Sequence, residues 1–314
     1  MAGWLQRVGA MFSGRSAEPA AAAHPATAAP PVPAAPGLVQ APAAAAPEGA
    51  LDLQPRLLTW LMGSRLDDPM RDSEQRLIEQ LDALIASRES LATLLPRAPA
   101  VIPQLMNSLR DASQSTGALA QRVARDPHLV VEVIRMANSA QTTGNAPVTD
   151  IADAIRRLGI DGLQRAILRV VLKPMFDGQG DSLTARCTQR LWQHSEAKAE
   201  ACTQEAKARG LDPFEGYLAG LMHNVGWTAA LRALDRIEAH APAQLSLSFV
   251  SAIEARRDTL FGLLATSWQL TDTLNAFAAE LQHDGLAHAT SALGQALRAA
   301  DQRASLGVLV PSAR

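Results

Sequence analysis

Asp212-Pro213-Phe214-Glu215-Gly216-Tyr217-Leu218-Ala219-Gly220-Leu221-Met222-His223-Asn224-Val225-Gly226 reads as a capped helix that ends in a histidine beside an asparagine. Asp212 offers a side-chain acceptor to the first open backbone N–H groups, and Glu215 completes an Asp-x-x-Glu capping box with it. Pro213 stands where a missing N–H costs nothing. The dipeptide at the far end decides the chemistry. A His-Asp pair there would supply an imidazole and an anionic carboxylate able to bridge cations, whereas Asn224 is uncharged and offers a weak carbonyl oxygen. The segment reads as a metal site with its key anion removed.

Outward from this helix, the chain continues as helix after helix. Asp126 before Pro127, Asp150 before Ile151 and Thr271 before Asp272 each place a capping side chain ahead of a helical run. Glycines at 159, 210 and 226 read as helix stops, where a left-handed residue can close the last turn. No segment alternates with β-branched enrichment in the manner of a strand. The fold class expected is all-α.

The N-terminal part is organised differently. From Ala17 to Ala50, 24 of 34 positions are Ala or Pro, spaced so that no helix could propagate, which marks residues 17–50 as a disordered linker. Ahead of it Trp4, Leu5, Val8, Met11 and Phe12 recur at helical spacing, so residues 1–16 could form a short amphipathic helix suited to docking on a partner or a membrane surface. Residues 51–93 carry helices whose apolar positions (Leu57, Leu58, Trp60 and Leu61, then Leu77, Ile78, Leu81, Leu84 and Ile85) would pack on a main domain at 94–305, leaving 306–314 as a tail.

Composition narrows the function. A 314-residue chain that is 47% hydrophobic can bury a sizeable core. Its formal net charge of −2 lacks the basic excess that drives binding to phosphate backbones, so nucleic acid is not an expected partner. Cys187 and Cys202, on one helix, would stand roughly 22 Å apart, too far for a disulfide or a shared metal. No run approaches the ~20 apolar residues that span a bilayer, and the start lacks an apolar leader. A cytoplasmic location is expected.

Leu218 to Gly226 resembles the "AGLLHDIG" segment of the HD superfamily of metal-dependent phosphohydrolases, with Asn in place of the second motif residue. Leu95-Pro96-Arg97-Ala98-Pro99, Ala124-Arg125-Asp126-Pro127-His128-Leu129, Arg135-Met136-Ala137-Asn138-Ser139-Ala140 and Ala154-Ile155-Arg156-Arg157-Leu158-Gly159 resemble the HDOD domain, the HD-related output domain of bacterial signalling proteins. The resemblance implies a multi-helix HD-like bundle. It matches His194 to the first motif histidine, His223 to the paired one and Asp301 to the final aspartate, leaving Asn224 as the departure. A further departure falls in Arg257-Asp258-Thr259-Leu260-Phe261-Gly262, where HD-GYP phosphodiesterases usually carry a histidine near Thr259.

Helix geometry agrees that the histidines could meet. His194 shares a face with Cys187, Leu191, Lys198 and Ala201, and His223 lies over Gly216, Ala219 and Gly220, small residues that admit another backbone. His194, His223, Asn224 and Asp301 can satisfy one another as a buried hydrogen-bond cluster, and no cofactor is expected. A single structural metal on His194, His223 and Asp301 is the lesser expectation. The resemblance and the missing anion together imply a noncatalytic bacterial signal-transduction module acting through protein partners. The alternative is a divergent phosphohydrolase for a nucleotide or cyclic dinucleotide. Elsewhere Arg165, Arg169 and Lys173, with Arg156 and Arg157 one helix earlier, form a basic stripe that is either a solvated face or a receptor for an acidic partner or nucleotide. Asn138 is expected to bond backbone groups near a helix end.

Overall fold

The computed structural model describes residues 53–67, 69–94, 117, 121, 123–139, 147–237, 243–268 and 271–310. The expectations for residues 1–16 and 17–50, and for the Leu95–Pro99 block, lie outside these. The described chain is all-α apart from one short strand pair. Its elements are α1 (Leu53–Met62), β1 (Arg65–Asp67), α2 (Asp72–Ala86), α3 (Arg88–Leu94), α4 (Pro127–Ser139), α5 (Ile151–Leu172), a 3-10 turn (Lys173–Phe176), α6 (Leu183–Ala208), α7 (Pro213–His223), α8 (Val225–Ile237), β2 (Gln244–Ser246), α9 (Leu247–Trp268), α10 (Asp272–His288) and α11 (Ala292–Leu309). The last helix runs past residue 305, beyond which a tail was expected.

The named caps close the helices they precede. Asp126 Oδ1 accepts from His128 N at 2.8 Å, Asp150 Oδ1 from Ala152 N at 3.2 Å, Asp212 Oδ1 from Phe214 N at 2.9 Å, and Thr271 Oγ1 from Leu274 N at 3.0 Å. Glu215 reaches further than its own helix: its Oε2 accepts from the Thr271 hydroxyl at 2.9 Å, tying the start of α7 to the start of α10. Gly210 closes α6 with φ +70° as expected, and Gly159, at φ +67°, bends α5 rather than ending it.

Gly226 corrects the reading of it as a stop. It lies in the first turn of α8, and its need for glycine is one of space: a Cβ there would stand 2.3 Å from the carbonyl oxygen of Arg257 on α9. Backbone cannot yield as a side-chain tip can, so Gly226→Ala is expected to lower stability by about 1–3 kcal/mol through overpacking, read as a shifted urea midpoint at unchanged slope. An unshifted midpoint would show that α8 and α9 can separate freely.

The same device brings α7 against α6. A Cβ on Gly216 would meet Cys202 O at 2.8 Å, and one on Gly220 would meet Ala199 Cα at 2.7 Å, so the two backbones touch where the small residues predicted. Leu57, Leu58 and Leu61 of α1 and Leu77, Ile78 and Leu81 of α2 are buried in the same core as α6 to α11. Strands β1 and β2 pair in parallel with Leu66 opposite Leu245. Three residues are too few to show alternation, which is why the sequence does not announce them.

Candidate functional site: a buried cluster around Lys198

Four elements converge on one point. Helix α6 contributes His194, Ser195 and Lys198 from its buried face. The end of α7 contributes His223 and, as its C-cap, Asn224. Helix α9 contributes Arg257 and Asp258, and α11 contributes Asp301 and Ser305. All nine are buried, and Lys198, His194, His223 and Asn224 have no exposed surface at all.

The centre is the Lys198 ammonium. Its Nζ donates to His223 Nδ1 at 2.9 Å, to Asp301 Oδ1 at 2.9 Å and to Asn224 Oδ1. An ammonium has three protons and no acceptor, so three acceptors saturate it. The remaining assignments follow from these partners. His223 keeps its lone pair on Nδ1 and donates from Nε2 to Asp258 Oδ1 at 2.9 Å. Asn224 turns its oxygen to Lys198 and its Nδ2 to His194 Nδ1 and Ser195 Oγ, both at 2.9 Å. His194 then donates from Nε2 to Ser305 Oγ at 3.2 Å, with Asp301 Oδ1 farther off at 3.9 Å. Asp258 also accepts from Arg257 Nε at 2.8 Å and, on its other oxygen, from Leu286 N at 2.8 Å.

Electrostatics matches the bonding. Burial, reinforced by the Lys198 charge, pushes His194 down to about 3 and His223 down to about 4, so both imidazoles are neutral. Burial alone would raise Asp301 and Asp258, but Lys198 beside the first and Arg257 beside the second hold both well below the usual carboxylate range. Burial lowers Lys198, against the pull of Asp301. For the Lys198–Asp301 pair the geometry decides for ions on both sides. Two cations, Lys198 and Arg257, therefore face two carboxylates, Asp301 and Asp258.

The structure brings together His194, His223, Asn224 and Asp301 as the sequence suggested, and adds the residues that complete them. Lys198 was visible as a member of His194's face, four residues on, but a lysine there reads as a stem with its head in water. Asp258 adjoins Thr259, the position near which the resemblance leads one to expect a histidine. Thr259 itself turns away, its hydroxyl bonded to Ala255 O at 3.2 Å on the exposed side of α9.

Do these residues fit a divalent ion? The imidazole nitrogen of His223, the amide oxygen of Asn224 and a carboxylate oxygen of Asp301 all point at Nζ. Zinc sits about 2.0–2.2 Å from such donors, so an ion bound to all three would coincide with the ammonium. Among the described residues no three His, Cys, Asp or Glu side chains are grouped to hold a metal. The donor set as it stands does not fit the metal that the motif would otherwise imply.

Four of the five residues of the basic stripe have carboxylate partners. Arg156 and Arg157 pair with Asp153 at 2.7 and 3.4 Å, Arg165 pairs with Glu200 at 3.2 Å, and Arg169 binds Glu132 at 2.6 Å and also Glu196. Arg169 stacks over Trp192 at 5.8 Å, and with Lys173 it borders an open groove of about 600 Å³ between α4, α5 and α6. Asn138 bridges backbone as expected: it donates to Val148 O at 3.0 Å and accepts from Val148 N at 2.8 Å.

A model of the HDOD domain matches residues 95–284. An uncharacterized protein of Treponema pallidum (strain Nichols) is 26% identical over 165 residues, 52% of this chain and 31% of that protein, so the match spans about a third of the relative's length. Among solved structures, a "Putative metal-dependent phosphohydrolase" from Shewanella amazonensis SB2B superposes with a TM-score of 0.55 at 18% identity, over 76% of this chain and 90% of that one. An HDOD domain protein with unknown function from Geobacter sulfurreducens gives 0.50 at 21% identity, over 73% and 77%. These two likenesses are of fold. No helix among the described residues is long and apolar enough to cross a membrane.

Proposed function

The chain belongs to the HDOD domain family, and from that premise we propose that it works as a noncatalytic signal-transduction module, acting through protein partners bound to its helical surface. One observation carries the reading: the donors that would grip a metal grip the Lys198 ammonium instead. A hydrolase of this type needs a cation to polarise the phosphate and to generate hydroxide near neutral pH. In this cluster both imidazoles and both carboxylates are already committed to side-chain or backbone partners, and none of them is exposed to a substrate. Such a core serves to fix α6, α7, α9 and α11 against one another, leaving function to the surface.

Two measurements on the full chain test this. Nucleotides, cyclic dinucleotides and a chromogenic phosphodiester are incubated with it in Mn²⁺, Fe²⁺ or Zn²⁺, and turnover is expected to stay at the buffer rate. Hydrolysis that is lost in His223→Ala would establish the alternative, a divergent phosphohydrolase. The second measurement captures proteins from the native host and rebuilds any complex from purified components. A reconstituted one-to-one complex is expected, and failure to rebuild any would remove the interaction half of the reading.

A further inference from the structure

We propose that the Lys198 ammonium takes the place of a divalent cation in this chain, and that Lys198 and Asn224 act as a pair, so that the cluster binds metal only when both are replaced. The inference rests on the noncatalytic reading of the same cluster, yet the two can fail separately. Its ground is geometric. The ammonium sits among an imidazole nitrogen, an amide oxygen and a carboxylate oxygen, all of them donor types that ligate metals, and the contacts come from the end of α7 and from α11 while the stem rises from α6. It thus ties together the helices that a shared ion would tie.

Charge explains why Asn224 accompanies it. A single positive charge is matched by one carboxylate, Asp301 at 2.9 Å. A second carboxylate at position 224 would leave the centre with an excess negative charge out of water, which is costly. It would also replace Nδ2, whose two protons go to His194 Nδ1 and Ser195 Oγ, with an oxygen that faces the His194 lone pair. Asn224→Asp alone therefore meets a resident ammonium and a mis-set imidazole. Lys198→Ala alone opens the space but leaves one carboxylate. Together they open the space and leave the His223 nitrogen and two carboxylates around it, a donor set suited to Mn²⁺ or Zn²⁺.

The test compares the native 314-residue chain, Lys198→Ala, Asn224→Asp and the double variant, each checked for helical content by circular dichroism. Each is loaded with Mn²⁺ or Zn²⁺, desalted, and measured for bound metal and for its melting temperature with and without chelator. The double variant is expected to hold close to one ion or more per chain and to melt about 5 °C higher with metal; the other three are expected to hold less than about a tenth of that and not to shift. Asn224→Asp alone binding as well as the double variant would overturn the pairing. So would a folded double variant that takes up no ion. Should the double variant not fold, the native chain decides. It has three lysines, Lys173, Lys198 and Lys207, so lysine-selective ¹⁵N labelling isolates the buried one. A slowly exchanging ammonium signal that tenfold excess Zn²⁺ leaves in place is expected, and its displacement by Zn²⁺ would overturn the proposal even if the native chain hydrolysed nothing.

Discussion

Asp301→Ala is expected to destabilise the fold by about 3–5 kcal/mol, the penalty typical of stranding one member of a buried ion pair. The residue is almost wholly buried, and its Oδ1 is 2.9 Å from Lys198 Nζ. Removing it leaves an ammonium with no counter-ion in a site closed to solvent. Lys198→Met should cost a comparable amount for the mirror reason, since Asp301 would then be the unpaired charge. The combined variant is expected to cost clearly less than the sum of the two, because neither charge is left behind. A surface control sets the scale: Asp153→Ala, which frees Arg156 and Arg157 on the exposed side of α5, should change stability by less than about 1 kcal/mol. Urea midpoints for the four variants decide the matter, and strictly additive effects of Asp301→Ala and Lys198→Met would mean that the pair is not coupled.

How much of this was written in the sequence depends on the range over which each signal acts. The helix starts at Asp126, Asp150, Asp212 and Thr271 were legible because a cap and its N–H partners lie within a few residues. The α6–α7 contact was legible because Gly216, Ala219 and Gly220 put small residues on one stripe. Nonlocal partners were not. The carboxylates that neutralise Arg165 and Arg169 sit on α4 and α6, 27 to 37 residues away, and nothing near the arginines announces them. Lys198 is the instructive case. Periodicity puts it on the buried face, but what a lysine does there depends on which acceptors meet it, and those come from residues 25, 26 and 103 positions later. Asp258 is masked in the sequence by its neighbour Thr259, the position that the resemblance singles out, and one residue along a helix turns a side chain by about 100°.

Acidification should destabilise the chain well above the pH at which its carboxylates protonate. His194 and His223 are held neutral, at about 3 and about 4, against an ordinary value of about 6.5 in an unfolded chain. Between those limits the unfolded state binds protons that the folded state refuses, so stability rises with pH across the window. The contribution is complete above about 6.5 and is lost as pH falls toward 4 and then 3. Two such groups imply a loss of about 3 kcal/mol between pH 6.5 and 5. Asp301 and Asp258, held low by Lys198 and Arg257, add a loss of the same sign only below their own unfolded values, near 4. Urea midpoints taken from pH 7 to 4.5 should therefore fall steeply before any carboxylate matters, and His194→Gln, which removes one titrating ring while keeping hydrogen-bonding atoms near Asn224 and Ser305, should reduce the slope by up to about 1.4 kcal/mol per pH unit. A flat profile from pH 7 to 5 in the native chain would mean that the imidazoles reach water, and with that the closed, self-satisfied cluster on which the noncatalytic reading depends would be lost.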